Sequence, residues 1–347
     1  MTSATSKINS LVRFRPNALQ VLNRLHFEVA KKGTALAYRP IWLLFYLSDL
    51  CNLKCEMCPH HTTLTVNSFA HMKELSGFMS LDLIEQILRR FPEAMVVSLA
   101  GVGEPLTHPD FAEVVRLLSR DRRIVDVTTN GYFLDGQKLS AILQSRAVRE
   151  VSISLNGSSP EEHLGITGRN GFERVESNVR RLVHERTRNG GPARISVSQV
   201  CTPENVTRWE EYVDLAVDLG VDRLYLHNVI DMNIDDPRLT GLPDVEEIRS
   251  AVRSIPQRVG SLEVVGPTAI SASRFDPKCE WFFRNLAFDP NGNVGSCGRV
   301  MNPQSSYGNV SSDEDLWNSS YMQSMRSTFL SGDVYDCCRG CVECQGG

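Results

Sequence analysis

No stretch of this 347-residue sequence is apolar over the length needed to span a bilayer, so a transmembrane function is not expected. The N-terminus lacks the apolar core and small-residue cleavage site of a secretory signal, so an exported, disulfide-built protein is not expected either, and a cytoplasmic location is. An excess of one charge is also missing. Lys and Arg number 37 against 41 Asp and Glu, a formal net charge of −4 that gives no reason to expect nucleic acid as a partner. Hydrophobic and charged fractions of 41% and 22% are those of an ordinary globular chain. The length allows two domains, or one barrel with an appendage, and a substantial core.

Cysteine is not scarce, and its distribution is uneven. Of ten cysteines, three lie at residues 51–58, six lie beyond residue 278, and Cys201 stands alone. In a reducing compartment this pattern points to metal or redox work, and the segregation suggests two metal sites in two domains. The first group, Cys51-Asn-Leu-Lys-Cys55-Glu-Met-Cys58, follows Pro40–Ser48, which reads as a short buried strand. Three thiolates from one loop can hold three irons of a [4Fe–4S] cubane and leave the fourth iron without a protein ligand. The alternative is a zinc knuckle, which needs a fourth ligand; His60 and His61 are near enough in sequence to be considered.

From about residue 41 to 229, short apolar runs alternate with amphipathic helical patterns, the signature of a parallel sheet built from βα units. Strands are expected near 41–48, 95–100, 124–129, 150–155, 194–200 and 222–229. Helices are expected near 80–91, 110–119, 137–145, 170–186 and 205–219, with Ser80 and Asp110 at N-cap positions. Six such units make an α/β fold, a partial (β/α)6 TIM barrel, which places its chemistry on loops at the C-terminal ends of the strands. A flavodoxin-like doubly wound sheet is the alternative from periodicity alone.

The cysteine spacing CxxxCxxC after a first strand resembles the radical S-adenosylmethionine (SAM) superfamily. Later strand ends extend the resemblance. Gly101-Val-Gly103-Glu104-Pro105 after strand 2 looks like the family's Gly-Gly-Glu motif with one residue inserted, Thr129-Asn130-Gly131 ends strand 3, and Ser154-Leu-Asn156-Gly157 ends strand 4. By that resemblance the open iron binds the amino and carboxylate groups of SAM. Gly101, Gly103 and the Glu104 region would meet the SAM ammonium, and Asn130, Ser154 and Asn156 would line the cofactor. Asn156 replaces the family's usual aspartate, and Met57 stands where an aromatic residue often lies against adenine.

Beyond residue 278, Cys279 and Cys297 bracket Asp289-Pro-Asn-Gly292, a turn sequence expected to form a β-hairpin, and Cys337, Cys338, Cys341 and Cys344 follow. This part resembles the SPASM/twitch extension of radical SAM enzymes, as do Gly308-Asn-Val, Leu316-Trp317-Asn318 and Met325-Arg326. The longer cysteine run of the full SPASM form is absent, so the resemblance implies the twitch form, with one auxiliary [4Fe–4S] cluster on Cys279, Cys297, Cys338 and Cys341. A zinc ribbon is the alternative. The expected division is 1–40, a basic helical segment; 41–230, the partial barrel; 231–261, a linker and helix; and 262–347, a small β-hairpin and helix domain that binds the auxiliary cluster.

The resemblance implies reductive cleavage of SAM to a 5′-deoxyadenosyl radical that removes a hydrogen atom from substrate, with a flavodoxin- or ferredoxin-type reductant. An oxidoreductase acting on a hydroxylated small molecule, a sugar or aminocyclitol alcohol, is the first expectation. A peptide-modifying maturase, or a sugar epimerase using Cys201 as hydrogen donor, is the alternative. His227, expected to share a strand face with Tyr225, is the candidate base for a substrate hydroxyl; Arg169 is a candidate anion holder. The first forty residues hold seven Lys and Arg against one acid, Glu28. Asn17–Lys32 reads as a basic amphipathic helix that either caps the barrel or makes peripheral membrane contact.

Overall fold

The computed structural model describes residues 14–58, 77–101, 103–228, 242, 245–267, 279–297 and 307–333. His60 and His61, Cys337, Cys338, Cys341 and Cys344, and residues 231–241, 243 and 244 of the linker expected at 231–261 lie outside the described residues.

The elements run α1 (Ala18–Val29), β1 (Trp42–Phe45), α2 (Leu81–Arg90), β2 (Val96–Leu99), α3 (Phe111–Arg120), β3 (Ile124–Thr129), α4 (Gly136–Gln144), β4 (Val148–Ser154), α5 (Pro160–Thr167), α6 (Phe172–Asn189), β5 (Arg194–Cys201), α7 (Trp209–Leu219), β6 (Arg223–Asn228), α8 (Glu246–Ser254), β7 (Arg258–Val259), β8 (Leu262–Val265), α9 (Trp281–Arg284), β9 (Asn285–Phe288), β10 (Val294–Gly295) and α10 (Ser320–Leu330). The strands form one ten-stranded sheet in the order β10-β9-β1-β2-β3-β4-β5-β6-β8-β7. β1 to β6 are parallel neighbours in chain order, β9 extends them beside β1, and β8 extends them beside β6. Each edge ends in an antiparallel strand, β10 or β7. A doubly wound sheet would reverse direction at an inner strand. This order does not, and the α/β fold is that of an open partial barrel.

Burial follows the alternation of side chains along the strands. Leu43, Phe45, Val97, Leu99, Val125, Val127, Val151, Ile153, Ile195 and Val197 join the helices in one large core. The opposite, concave face carries Ser98, Asp126, Thr128, Ser152, Ser198 and Tyr225, which the strand register sets in adjoining rows. Low on that face, Arg149 grips Asp126, Glu150 accepts from the Ser196 hydroxyl, and Arg223 pairs with Glu263 at 2.5 Å.

α1 closes the floor. Phe14 and Val21 pack on Trp42, Met95, Val96 and Ile124, which begin the first three strands or lie just before them. Asn23 bonds both backbone groups of Arg39, at 3.0 and 2.8 Å. Asn17 and Gln20 form a reciprocal capping box at the helix start.

Ser80 caps α2 through a bond from Leu83 N–H, as expected, whereas Asp110 makes no side-chain cap. The helix Pro160–Thr167 was not anticipated, although Ser159 followed by Pro160 is a helix-start signature. The expected hairpin forms at residues 289–292: the Asp289 carboxylate accepts from Asn291 and Asn293, and Gly292 takes φ 79°.

The segment 316–326 is tied to residues 34–38, far from it in sequence. Trp317, fully buried, donates its indole N–H to Tyr38 at 2.6 Å. Arg326, also fully buried, donates to the carbonyls of Phe282, Thr34 and Trp317 and to the Asn318 side chain, and lies 4.4 Å over the Trp317 ring. Burial lowers its pKa to about 10.

Candidate functional site

The cysteine loop leaves the C-terminal end of β1 and is fastened on three sides. Glu104 N–H bonds the Leu50 carbonyl at 2.9 Å. Lys54 and Glu56 N–H groups bond Thr167 and Ile166 carbonyls at 3.0 and 3.1 Å, so the end of α5 acts as a strand-like ledge for the loop. Arg169 donates to the Asn52 carbonyl at 3.0 Å and lies 4.3 Å over the Tyr132 ring. Arg169 thus clamps the loop through Asn52 and Tyr132.

Within this frame Cys51, Cys55 and Cys58 are each partly buried. Burial, with neighbouring thiols adding to it, pushes the Cys51 thiol up to about 11 and the Cys55 thiol up to about 12. Left alone, such thiols stay protonated; bound metal ions deprotonate them. The Cys51 sulfur already accepts from Leu53 N–H at 3.4 Å and from the Asn130 amide at 3.8 Å. The same Asn130 nitrogen reaches the Asn52 side chain at 2.8 Å, and the Asn52 amide nitrogen is buried with no partner of its own. Among the described residues no three His, Cys, Asp or Glu side chains gather as ligands of one ion. A cubane asks for no such convergence, because each thiolate binds its own iron. The donor set and its sulfur-directed amides fit a cluster.

The glycines at 101 and 103 have specific causes. A Cβ on Gly103 would stand 1.9 Å from the Ser48 carbonyl oxygen, and one on Gly101, at φ 136°, 2.0 Å from the Tyr46 ring. Both residues let the loop after β2 lie directly on the segment that leads into the cysteines. Glu104 turns inward, 2% exposed. Its carboxylate accepts from Leu106 N–H at 2.9 Å, the Thr129 hydroxyl at 2.6 Å and Asn130 N–H at 2.7 Å. Burial raises its pKa and the three donors oppose that rise. Glu104 therefore braces the ends of β2 and β3 and delivers Asn130 to the cysteine loop.

Met57 lies half-buried in the turn between Cys55 and Cys58. Ser154 lies on the concave face, paired in register with Ser198. Asn156, at φ 36°, spends its side-chain oxygen on Val200 N–H at 3.1 Å, linking the ends of β4 and β5. The structure corrects Cys201. It is fully buried among the core side chains, its thiol pushed up to about 12 by burial, and the register sets it beside Asn228, on the face opposite His227. A hydrogen donor must reach substrate, and this one does not. His227 does face the concavity, its ring stacked on Tyr225 at 5.2 Å, and desolvation there lowers its pKa so that the neutral imidazole is favoured.

The second field is described in part. Cys279 is buried just before α9, and Cys297 follows β10 half-buried. The Cys297 thiol is close enough to Tyr46 and Tyr307 to raise the pKa of both, after burial. Tyr46 thus packs against the glycine loop and lies near enough to Cys297 to feel its charge. Sequence reasoning missed Tyr46, Tyr132 and the clamp role of Arg169; no spacing motif marks them, because they act through contacts between distant segments.

A parallel open barrel with a three-cysteine loop at the first strand's C-terminal end, and a hairpin bearing further cysteines at its edge, defines an iron–sulfur enzyme class. Family models assign it. The radical SAM superfamily model matches residues 45–190, and the iron–sulfur cluster-binding domain model named SPASM matches residues 279–344. Residues 45–190 thus carry a radical SAM domain and residues 279–344 a C-terminal SPASM domain, and these domains imply SAM, a [4Fe–4S] cluster and auxiliary iron–sulfur binding. It is 27% identical over 193 residues to a tungsten-containing aldehyde ferredoxin oxidoreductase cofactor-modifying protein of Pyrococcus furiosus, covering 54% of this chain and 51% of that one. It is 30% identical over 181 residues to the mycofactocin maturase MftC of Mycolicibacterium smegmatis, covering 52% and 43%. The chain therefore spans about half the length of these relatives. The fold matches that of Streptococcus suis SuiB bound to its precursor peptide SuiA with a TM-score of 0.64 at 17% identity, over 88% of this chain and 69% of that one.

Proposed function

We propose that the protein is a peptide-modifying radical SAM enzyme. The observation that carries this reading is the extent of the fold match to SuiB, whose structure was solved with its precursor peptide, and the maturase MftC among the sequence relatives supports it. The preference for a sugar or aminocyclitol alcohol draws no support from these relatives, and the epimerase reading loses its donor with the burial of Cys201. The open concave face suits an extended substrate. Its rows of Ser, Thr and Tyr hydroxyls offer hydrogen-bond partners to backbone amides along several strands.

In this reading Cys51, Cys55 and Cys58 hold the SAM-binding cluster, and Cys279, Cys297, Cys338 and Cys341 hold an auxiliary one. Bound cluster and SAM together supply hydrogen-atom abstraction from an unactivated C–H bond. The chain's own residues do the positioning. Glu104 fixes Asn130, Asn130 and Arg169 fix the cysteine loop, and Gly101 and Gly103 allow close approach of backbone at the strand ends. Met57 and Ser154 flank the place of the cofactor. His227, neutral and facing the concavity, accepts a proton from substrate. The chain division at 40, 230 and 261 is proposed on the same footing.

The test is a substrate panel. Cluster-loaded protein with SAM and dithionite is offered a synthetic peptide library and a panel of polyols and aminosugars, and 5′-deoxyadenosine is quantified. Stimulation by peptides, with deuterium passing from labelled peptide into 5′-deoxyadenosine, is the expected result. Stimulation by polyols with silent peptides would overturn the reading.

A further inference from the structure

α1 carries apolar side chains on its outer side as well as where Val21 and Phe27 meet the barrel. Leu19, Leu22, Leu25 and Val29 recur at three- and four-residue spacing and are 45%, 63%, 39% and 77% exposed, whereas Gln20 and Asn23 are buried against the barrel floor. A helix on the surface of a globular protein normally turns these two faces the other way. The helix's one acid, Glu28, is engaged by Arg24 with only 14% of its side chain exposed, so it adds little negative charge to the outer face. Arg15 and Lys31 stand exposed just before and just after the helix. Lys32 shares its charge with Glu280 at 3.2 Å.

We propose that this face of α1 docks the protein onto an anionic lipid surface. The helix lies in the headgroup plane, its four aliphatic side chains enter the acyl boundary, and Arg15 and Lys31 meet lipid phosphates. A second copy of the chain fits the same face less well. Antiparallel pairing of two such helices sets Arg15 of one beside Lys31 of the other, and like charges oppose the contact. The placement also leaves the enzyme open. α1 lies under the strand starts, while the cysteine loop leaves the other end of β1, so a docked molecule turns the mouth of its concave face away from the lipid.

The test is sedimentation of the full chain, cluster-loaded, with vesicles of phosphatidylglycerol and phosphatidylcholine in equal parts and with vesicles of phosphatidylcholine alone, at low and high salt. The expected result is salt-sensitive binding to the anionic vesicles. A Leu22→Glu/Val29→Glu variant loses that binding while its iron content and SAM cleavage stay at wild-type values, which show that it folds. An Arg15→Gln/Lys31→Gln variant, which leaves the stripe untouched, weakens binding about fivefold for each cation removed. Three results would each overturn the proposal: no binding to anionic vesicles at low salt, equal binding by the Leu22→Glu/Val29→Glu variant, or a wild-type dimer that this variant dissociates in light scattering.

Discussion

Asn130 joins two things that the sequence shows only separately, a strand-end motif and a cysteine triad. Its backbone is held by Glu104 and its side-chain amide is aimed at the Cys51 sulfur. Hydrogen bonds to a ligating sulfur stabilise the reduced, more negative cluster. Replacing Asn130 by Ala should therefore shift the potential of the SAM-binding cluster to more negative values and leave the auxiliary cluster unmoved, as read by redox titration with paramagnetic resonance. Equal shifts in both, or none, would assign Asn130 a merely structural part. His227 offers a second residue-scale test. Its pKa is lowered in the fold, so the unfolded chain binds the proton more readily as pH falls below about 6.5. Wild type should then lose thermal stability relative to His227→Gln on going from pH 7 towards pH 5, and the difference between them should be flat above pH 7. The motif glycines were legible as residue types, but their reason, contact with Ser48 and Tyr46, lies in the approach of two loops far apart in the chain. The inward turn of Glu104 was likewise invisible, since a motif names a residue and not the direction of its carboxylate.

Elements were read with fair accuracy where periodicity was strong. The six parallel strands and the amphipathic helices between them fall within a few residues of expectation, because alternating burial in strands and the helical stripe each leave a repeating pattern. Two kinds of element escaped. α5 carries little amphipathic signal, and only its Ser159-Pro160 start announced it. The short strands β7 and β8, which extend the sheet beyond β6, are too brief for any pattern and are placed by pairing alone. The face by which α1 packs was not legible in the sequence. Its apolar spacing is visible, but the side chains that meet the floor are Gln20, Val21, Asn23 and Phe27, while Leu19, Leu22, Leu25 and Val29 face outward. At the far end, the tie between residues 34–39 and α10 rests on Arg326. Arg326→Ala leaves the buried carbonyls of Phe282 and Trp317 without their donor, removes the bonds to Thr34 and Asn318, and should destabilise the fold by about 3 kcal/mol in denaturant titration, with Lys a poor substitute for the planar fork.

For the molecule as a whole, one continuous sheet carries both cysteine fields. β1 leads into the three-cysteine loop and pairs on its free side with β9, whose hairpin ends at Cys297. Tyr46, the residue after β1, packs on the glycine loop and is within electrostatic reach of Cys297. This coupling through β1 and β9 was beyond sequence reasoning, which treated the C-terminal hairpin as a separate unit; pairing across more than two hundred residues leaves no local trace. Among the described residues no helix is long and apolar enough to cross a membrane. The central claim is that Cys51, Cys55 and Cys58 hold an open cubane that cleaves SAM, and that the C-terminal cysteines hold iron independently. The most direct measurement is anaerobic iron and sulfide content together with dithionite-driven 5′-deoxyadenosine formation, for wild type and a Cys51→Ala/Cys55→Ala/Cys58→Ala variant. The account predicts a loss of about four irons per chain in the variant, retention of the remainder, and no 5′-deoxyadenosine. Unchanged iron content, zinc in place of iron, or SAM cleavage that survives in the variant would contradict it.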